Sequence, residues 1–246
     1  MATINIDNTE IQGADAAPPP PCHKFIGRKR ELDLCRAAWG IDASGSRFDD
    51  ELLPMHFRLE GPPGVGKNEI VYELARRVKM PLYIMQGHEE FTPEDMAVLL
   101  VPDTDNSTGV RMRASPLATA LHHGGLVFFD ELNRVPPRAL SPLASVLDSR
   151  QELYSAMTGV RIRRSPGAVR FRFCAAINPA TGGGTSGLPD YIDERTLPSI
   201  TVGYPTFDEL LEILQWNLPK VDETTLKAFE SWYRASAIQQ ISVRQC

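Results

Sequence analysis

A chain of 246 residues, 42% hydrophobic and 23% charged, carries enough apolar material for one large domain, or for a core domain with a small appendage. This composition excludes a wholly disordered, collagen-like or purely coiled-coil chain. The net charge of −5, from 26 Lys and Arg against 31 Asp and Glu, argues against nucleic acid as the principal partner.

In chain order, residues 1–21 are polar and close on Pro18-Pro19-Pro20-Pro21, a composition that predicts a disordered arm. The first turns of the chain hold no Lys or Arg and no apolar core, which argues against a signal peptide. The densest apolar run, residues 96–101, falls far short of a membrane span, so a cytoplasmic protein without membrane attachment is expected. Cys22, Cys35, Cys174 and Cys246 have no zinc-site spacing, and Cys174 reads as a buried thiol in an apolar strand.

From Phe25 onward, short apolar runs alternate with amphipathic stretches. Residues 56–59 predict a strand running into glycine, and residues 69–78 a helix with Ile70, Val71, Leu74, Ala75 and Val78 on one face. Residues 81–85 predict a second strand. Thr92-Pro93-Glu94-Asp95 reads as a helix start, with Thr92 as N-cap and Pro93 in the first turn. Leu126-Val127-Phe128-Phe129 is too continuously apolar to have a wet face, as at the centre of a parallel sheet. Ser141-Pro142 predicts a short helix through Leu147, and residues 171–177 and 199–202 predict two more strands. Residues 207–218 and 223–237 predict two helices separated by Pro219. Strands separated by helices give an α/β fold with a parallel sheet.

The chemistry is concentrated in two motifs. Gly61-Pro62-Pro63-Gly64-Val65-Gly66-Lys67-Asn68, followed by Glu69, lies between a strand and a helix, the place of a phosphate-binding loop. Glycines there let backbone N–H groups turn around phosphate oxygens, the helix N-terminus adds its dipole, and Lys67 reaches the β- and γ-phosphates. The last loop position ordinarily holds Ser or Thr, whose hydroxyl ligates Mg²⁺. Here it is Asn68, whose amide oxygen either ligates the ion or leaves a water between. Asp130-Glu131 closes the apolar strand at its carboxyl end, where Asp130 is expected to hold the Mg²⁺ shell and Glu131 to polarise the attacking water. The two motifs in this order predict a bound nucleotide and Mg²⁺, with Asn68 and Asp130 as the metal-side residues.

With these motifs the sequence resembles the MoxR-like group of AAA+ ATPases over residues 25–244, which implies that the nucleotide is ATP. Asp130-Glu131-Leu132-Asn133-Arg134-Val135-Pro136-Pro137 is similar to that group's acidic motif and following turn, and is the most family-specific stretch. Phe25-Ile26-Gly27-Arg28 resembles the segment that approaches adenine, which implies a nucleotide contact at Ile26 and Gly27. Phe173-Cys174-Ala175-Ala176-Ile177-Asn178-Pro179 resembles the sensor 1 strand, so that Asn178 would hold the attacking water or the γ-phosphate. Leu188-Pro189-Asp190-Tyr191-Ile192-Asp193-Glu194-Arg195 resembles the arginine-finger segment, which would put Arg195 in a neighbouring subunit's site. Arg134 is a further interface candidate. Ser242-Val243-Arg244 resembles sensor 2, with Arg244 reaching the γ-phosphate from the lid. Lys67, Mg²⁺ and arginines would then surround the oxygens of a loose phosphoryl-transfer transition state.

The resemblance implies a P-loop AAA+ core with a five-stranded parallel sheet flanked by helices, followed by a small all-helical lid. The expected division is an arm over 1–21, a core over 22–205 and an incomplete lid over 206–246. Two insertions fit: a hairpin or loop over 103–115 interrupting the second helix, and a hairpin over 151–172 with Thr158-Gly159 as its turn. The second carries Arg161, Arg163, Arg164, Arg170 and Arg172. The function implied is ATP hydrolysis in a homo-oligomeric, hexameric ring. It would remodel, mature or activate a protein client, often with a von Willebrand factor A-domain partner. Two other readings stay open: a DNA-directed motor that grips phosphates with the basic hairpin 161–172, and a non-hydrolysing, ATP-dependent scaffold motivated by Asn68.

Overall fold

The computed structural model describes residues 3–6, 9–18, 24–41, 53–104, 109–179 and 187–235. Along the chain run β1 Thr3–Ile6, β2 Thr9–Gln12, α1 Lys29–Ala38, β3 Phe57–Glu60, α2 Lys67–Val78, β4 Leu82–Gln86, β5 Val98–Pro102 and β6 Val110–Ala114. They continue as α3 Pro116–His123, β7 Leu126–Asp130, α4 Leu143–Val146, β8 Glu152–Tyr154, β9 Arg161–Arg163, β10 Arg172–Ile177, α5 Asp190–Asp193, β11 Ser199–Thr201, α6 Phe207–Asn217 and α7 Glu223–Ala235.

The expected five-stranded parallel sheet is present, in the order β11-β3-β10-β7-β4. Its central strands are buried on both faces, which is why they read as continuous apolar runs. Leu59, Phe128, Cys174 and Ala176 point to the face covered by α1 and α2, where they meet Trp39, Ile70 and Leu74. Val127, Phe129, Phe173 and Ala175 point to the opposite face, with Leu117, Leu121, Leu140 and Leu143. The period-2 alternation of each strand therefore feeds two separate cores.

Three expectations need correction or extension. The disordered arm expected over 1–21 is not what residues 3–6 and 9–12 form: β1 and β2 pair antiparallel, and β2 joins β6. Ile4 and Ile11 are fully buried in the core on the α3 side. Past them, Ala14 N–H donates to Thr119 Oγ1 at 2.8 Å and Ala17 N–H to Leu82 O at 2.7 Å, so the segment lies along the edge strand β4. Burial of two isoleucines and a paired backbone outweigh the polar composition that predicted disorder. Second, the helix expected to start at Thr92 is one 3-10 turn, Glu94–Met96. Asp95 accepts from the N–H and hydroxyl of Thr92, but from Val98 onward the chain is apolar, with β-branched Val98 and Val101, and enters β5 instead. The first insertion is thus a hairpin that begins earlier than expected, β5 with β6, and α3 resumes behind Ser115, whose hydroxyl accepts from Ala118 N–H. The second insertion is the expected antiparallel hairpin, β8 with β9, with Gly159 at φ 70° near its turn.

The helical lid is α6 and α7. Thr206 and Glu209 form a capping box at the start of α6, and Phe207, Leu210, Phe229 and Tyr233 pack between the two helices. Arg244 lies outside the described residues, as do Pro19, Pro20, Pro21 and Cys22.

Candidate functional site

The loop between β3 and α2 is shaped by two glycines. A side chain at Gly61 would run into the carbonyl of Val202, and Gly66, the N-cap of α2, sits at φ 96°. Together they let the loop turn tightly and aim the N-terminus of α2 into a cavity of about 170 Å³. Pro63, Gly64, Lys67, Asn68, Asp130, Glu131 and Asn178 line it, so both motifs and the sensor strand meet there. Strands β3, β7 and β10 bring them together because all three end on one edge of the same parallel sheet, as binding sites of α/β folds do.

Lys67 is 6% exposed, and its ammonium donates to Gly61 O at 2.6 Å, Pro62 O at 2.9 Å and Asn178 Oδ1 at 2.8 Å. All three acceptors are uncharged, so an incoming phosphate oxygen would outbid them for the cation. Asn133 donates through Nδ2 to Asn178 O at 2.9 Å and so fixes the backbone of the sensor residue.

The acids are held from within the chain. Asp130 Oδ1 accepts from Glu131 N–H at 3.0 Å and Oδ2 accepts from Asn68 Nδ2 at 3.0 Å. Glu131 adopts φ 54°, and its Oε2 accepts from Gln86 Nε2 at 2.9 Å and from Arg134 Nη1 at 3.0 Å. Glu131 is therefore drawn toward the end of β4.

The expected Mg²⁺ is tested by the orientation of Asn68. A carboxylate oxygen only accepts, so the amide end facing Asp130 is nitrogen, and an amide nitrogen does not ligate Mg²⁺. Asp130 stands where expected, but Asn68 does not present the oxygen expected of it; the pair as arranged does not fit direct coordination. Tyr72, one helical turn on, adds to this corner: burial, then the Glu69 charge, push its phenol above the ordinary value, against a side-chain hydrogen bond with Asn68.

A second cavity, of about 240 Å³, opens beside the first and shares Gly66 and Glu69 with it. Phe25, Ile26, Val65, Tyr72, Ile213 and Trp216 give it an apolar lining from the core and the lid, and Ile26 is thus placed in this second cavity. Gly27 sits under the Glu209 carboxylate. Arg28, which no motif marks as a nucleotide contact, donates to Val65 O at 3.0 Å and Gly203 O at 2.7 Å. It ties the phosphate loop to the hinge before α6, and Lys24 pairs with Glu212 at 2.5 Å on the lid itself.

Arg195 is not among the residues lining either cavity. It follows α5, donates to Tyr191 O at 2.7 Å and helps, after Arg150, to lower the Asp148 carboxyl. The turn that carries it is anchored by buried Arg58 of β3, which donates to Asp193 O and pairs with Asp193 Oδ1, both at 3.0 Å. Arg58 and Gln86 had no motif to mark them; each acts through contacts between segments far apart in sequence.

The basic hairpin is not a free cationic surface. Arg161 and Arg163 both pair with Glu152 across β8–β9. Arg172 is fully buried, donating to Trp39 O at 3.0 Å, and Arg170 donates to Gln151 Oε1 at 2.9 Å. Arg172 thus belongs to the core and not to a DNA-gripping face.

A parallel sheet in this order, a phosphate loop, strand-end acids and a sensor asparagine define a nucleotide-binding domain of the AAA+ type. Residues 56–195, more than half of the chain, match the family described as AAA domain (dynein-related subfamily), and the chain belongs to that family as a MoxR-like AAA+ ATPase. It is similar to the denitrification regulatory protein NirQ of Stutzerimonas stutzeri, 25% identical over 179 residues, with 73% of this chain and 58% of NirQ covered. NirQ of Pseudomonas aeruginosa is 28% identical over 156 residues, covering 63% of this chain and 57% of that one. Among solved structures, a candidate ATPase from Cytophaga hutchinsonii aligns with TM-score 0.57 at 21% identity, covering 78% of this chain and 51% of that one. The RuvB Holliday junction branch migration motor of Thermotoga maritima aligns with TM-score 0.51 at 20% identity, covering 79% and 51%. These structural likenesses concern the fold. The chain spans just under three fifths of the length of the NirQ proteins and about half of these structural neighbours. No helix among the described residues is long and apolar enough to cross a membrane.

Proposed function

We propose that the chain binds ATP across the two joined cavities and hydrolyses it within a ring of identical subunits, a hexamer by the family resemblance. The observation that carries this reading is the convergence of Lys67, Asn178, Asp130 and Glu131 on one cavity at the N-terminus of α2. Lys67 and the loop N–H groups bind phosphate oxygens, and Asn178 moves from Lys67 to the attacking water. Glu131, once released from Arg134 and Gln86, accepts that water's proton. Arg195, placed away from its own cavity, serves the neighbouring subunit's site, and Arg58 holds its turn in place. The core takes in β1 and β2 as well as 22–205, and the lid is assigned to begin at 206.

The work done by hydrolysis is directed at a protein client, remodelled or activated as a chaperone would, in the cytoplasm. The regulatory role in the NirQ names supports this reading, and a von Willebrand factor A-domain protein is the partner class the resemblance implies. A DNA-directed role is less supported, because Arg161 and Arg163 are both engaged by Glu152 and Arg172 is buried.

The test is ATP hydrolysis measured over a range of protein concentrations. Specific activity that climbs steeply with concentration, and is lost in Arg195→Ala but restored by mixing Arg195→Ala with Glu131→Gln, supports the shared site. Activity independent of concentration, or unaffected by Arg195→Ala, would remove it.

A further inference from the structure

Resting on the nucleotide reading above, we propose that the Asn68–Asp130 hydrogen bond takes the place of the divalent cation's bridge between the phosphate loop and the acidic strand, so that this site binds ATP nearly independently of Mg²⁺.

In an ordinary phosphate loop the cation does two things on binding. It links the hydroxyl at the last loop position to the strand-end carboxylate, through its waters, and it cancels the repulsion between those acids and the phosphates. Here the chain's own groups cover both tasks. Asn68 Nδ2 reaches Asp130 Oδ2 directly at 3.0 Å, so loop and strand are joined with nothing between them. The other oxygen of Asp130 accepts from Glu131 N–H at 3.0 Å, which leaves both oxygens of that carboxylate facing N–H donors. Glu131, in turn, is paired with the Arg134 guanidinium at 3.0 Å and accepts from Gln86 at 2.9 Å. Beside the phosphate cavity, the Glu131 charge is thus paired with a cation and the Asp130 charge is solvated by two N–H donors before any ligand arrives. The positive side of the cavity, Lys67 and the N-terminus of α2, is supplied without a metal.

For Mg²⁺ to enter in the usual way, the Asn68 amide has to turn over. That gives up the N–H···carboxylate contact between Asn68 and Asp130. The amide is therefore a competitor of the cation rather than a substitute ligand. A hydroxyl at the same position can donate its proton to Asp130 and still offer a lone pair of the same oxygen to the ion, which the amide nitrogen cannot do.

Equilibrium binding of ATP, read by fluorescence of a mant-ATP probe and by calorimetry, is measured in excess MgCl₂ and in excess EDTA, for the wild type and for Asn68→Thr. The expected result is a wild-type Kd that changes less than about fivefold between the two conditions, and an Asn68→Thr Kd that weakens in EDTA by about tenfold or more, the scale of one hydrogen bond to a charged group. A wild-type Kd that weakens fivefold or more in EDTA overturns the inference, as does an Asn68→Thr variant no more cation-dependent than the wild type. Absence of ATP binding by both proteins in both conditions would remove the nucleotide reading itself, an outcome distinct from cation-dependent binding.

Discussion

In the nucleotide pocket, Lys67 rests on three uncharged oxygens and Glu131 on a half-exposed arginine, partners that a ligand or a neighbouring subunit can displace. In the β8–β9 hairpin, Arg161 and Arg163 grip a single largely buried Glu152, while Arg172, at the hairpin's end, is enclosed in the core. Both regions read as charge clusters in one dimension. The difference teaches that a charge does chemistry only where its present partners are weaker than the incoming one. Asn68 belongs between the two: a neutral side chain that holds a charge in place.

The comparison is broken most severely at Arg172. Arg172→Ala leaves Trp39 O and Arg170 O without their donor and opens a buried void, and should cost about 2–5 kcal/mol, read as a lowered midpoint in urea. A loss near zero would return Arg172 to the hairpin's surface role. Glu131→Gln should lower hydrolysis by about 100-fold or more while ATP binding persists, because the water loses its base and the loop is untouched. If binding fails with hydrolysis, Glu131 is holding the pocket together instead.

His56 sharpens the contrast through pH. Burial first, and the Arg172 charge second, pull its imidazole down to about 3, and its ring stacks on Phe171 with centroids 5.4 Å apart. The folded chain keeps His56 neutral while the unfolded chain protonates it, so stability falls as pH drops from 6.5 toward about 3. The slope approaches about 1.4 kcal/mol per pH unit, and His56→Phe should flatten it. An unchanged slope in that variant would assign the acid sensitivity elsewhere. The smallest effect is expected at the hairpin surface. Arg161→Ala or Arg163→Ala should shift stability by less than about 1 kcal/mol, because each leaves the other arginine on Glu152 and both are exposed. Glu152 itself is partly desolvated, which by itself raises its carboxyl, but hydrogen bonds from Arg163 and Arg161 outweigh this and hold it below the usual carboxylate range. Low-salt DNA binding abolished by either substitution would instead restore the basic hairpin as a contact surface.

Local spacing carried most of the fold. The strand runs, the phosphate loop, the acids after Phe129 and the capping of α6 by Thr206 all depend on residues within a few positions of one another, so their pattern is readable along the chain. Even the missed β1 and β2 left a trace, in the alternation of Ile4, Ile6 and Ile11 with polar residues, which composition outweighed. The packing partners left none. That Arg58 anchors the turn of Arg195, that Arg28 bridges Val65 to Gly203, that Gln86 reaches Glu131, and that Asn68 turns its nitrogen toward Asp130 are facts about segments separated by tens of residues. Residue types and their periodicity settle which elements form, because backbone propensity and burial are local or averaged quantities. Which donor meets which acceptor is settled only when the sheet aligns its strand ends, because a hydrogen bond is decided by distances of a few tenths of an ångström that no spacing along the chain encodes.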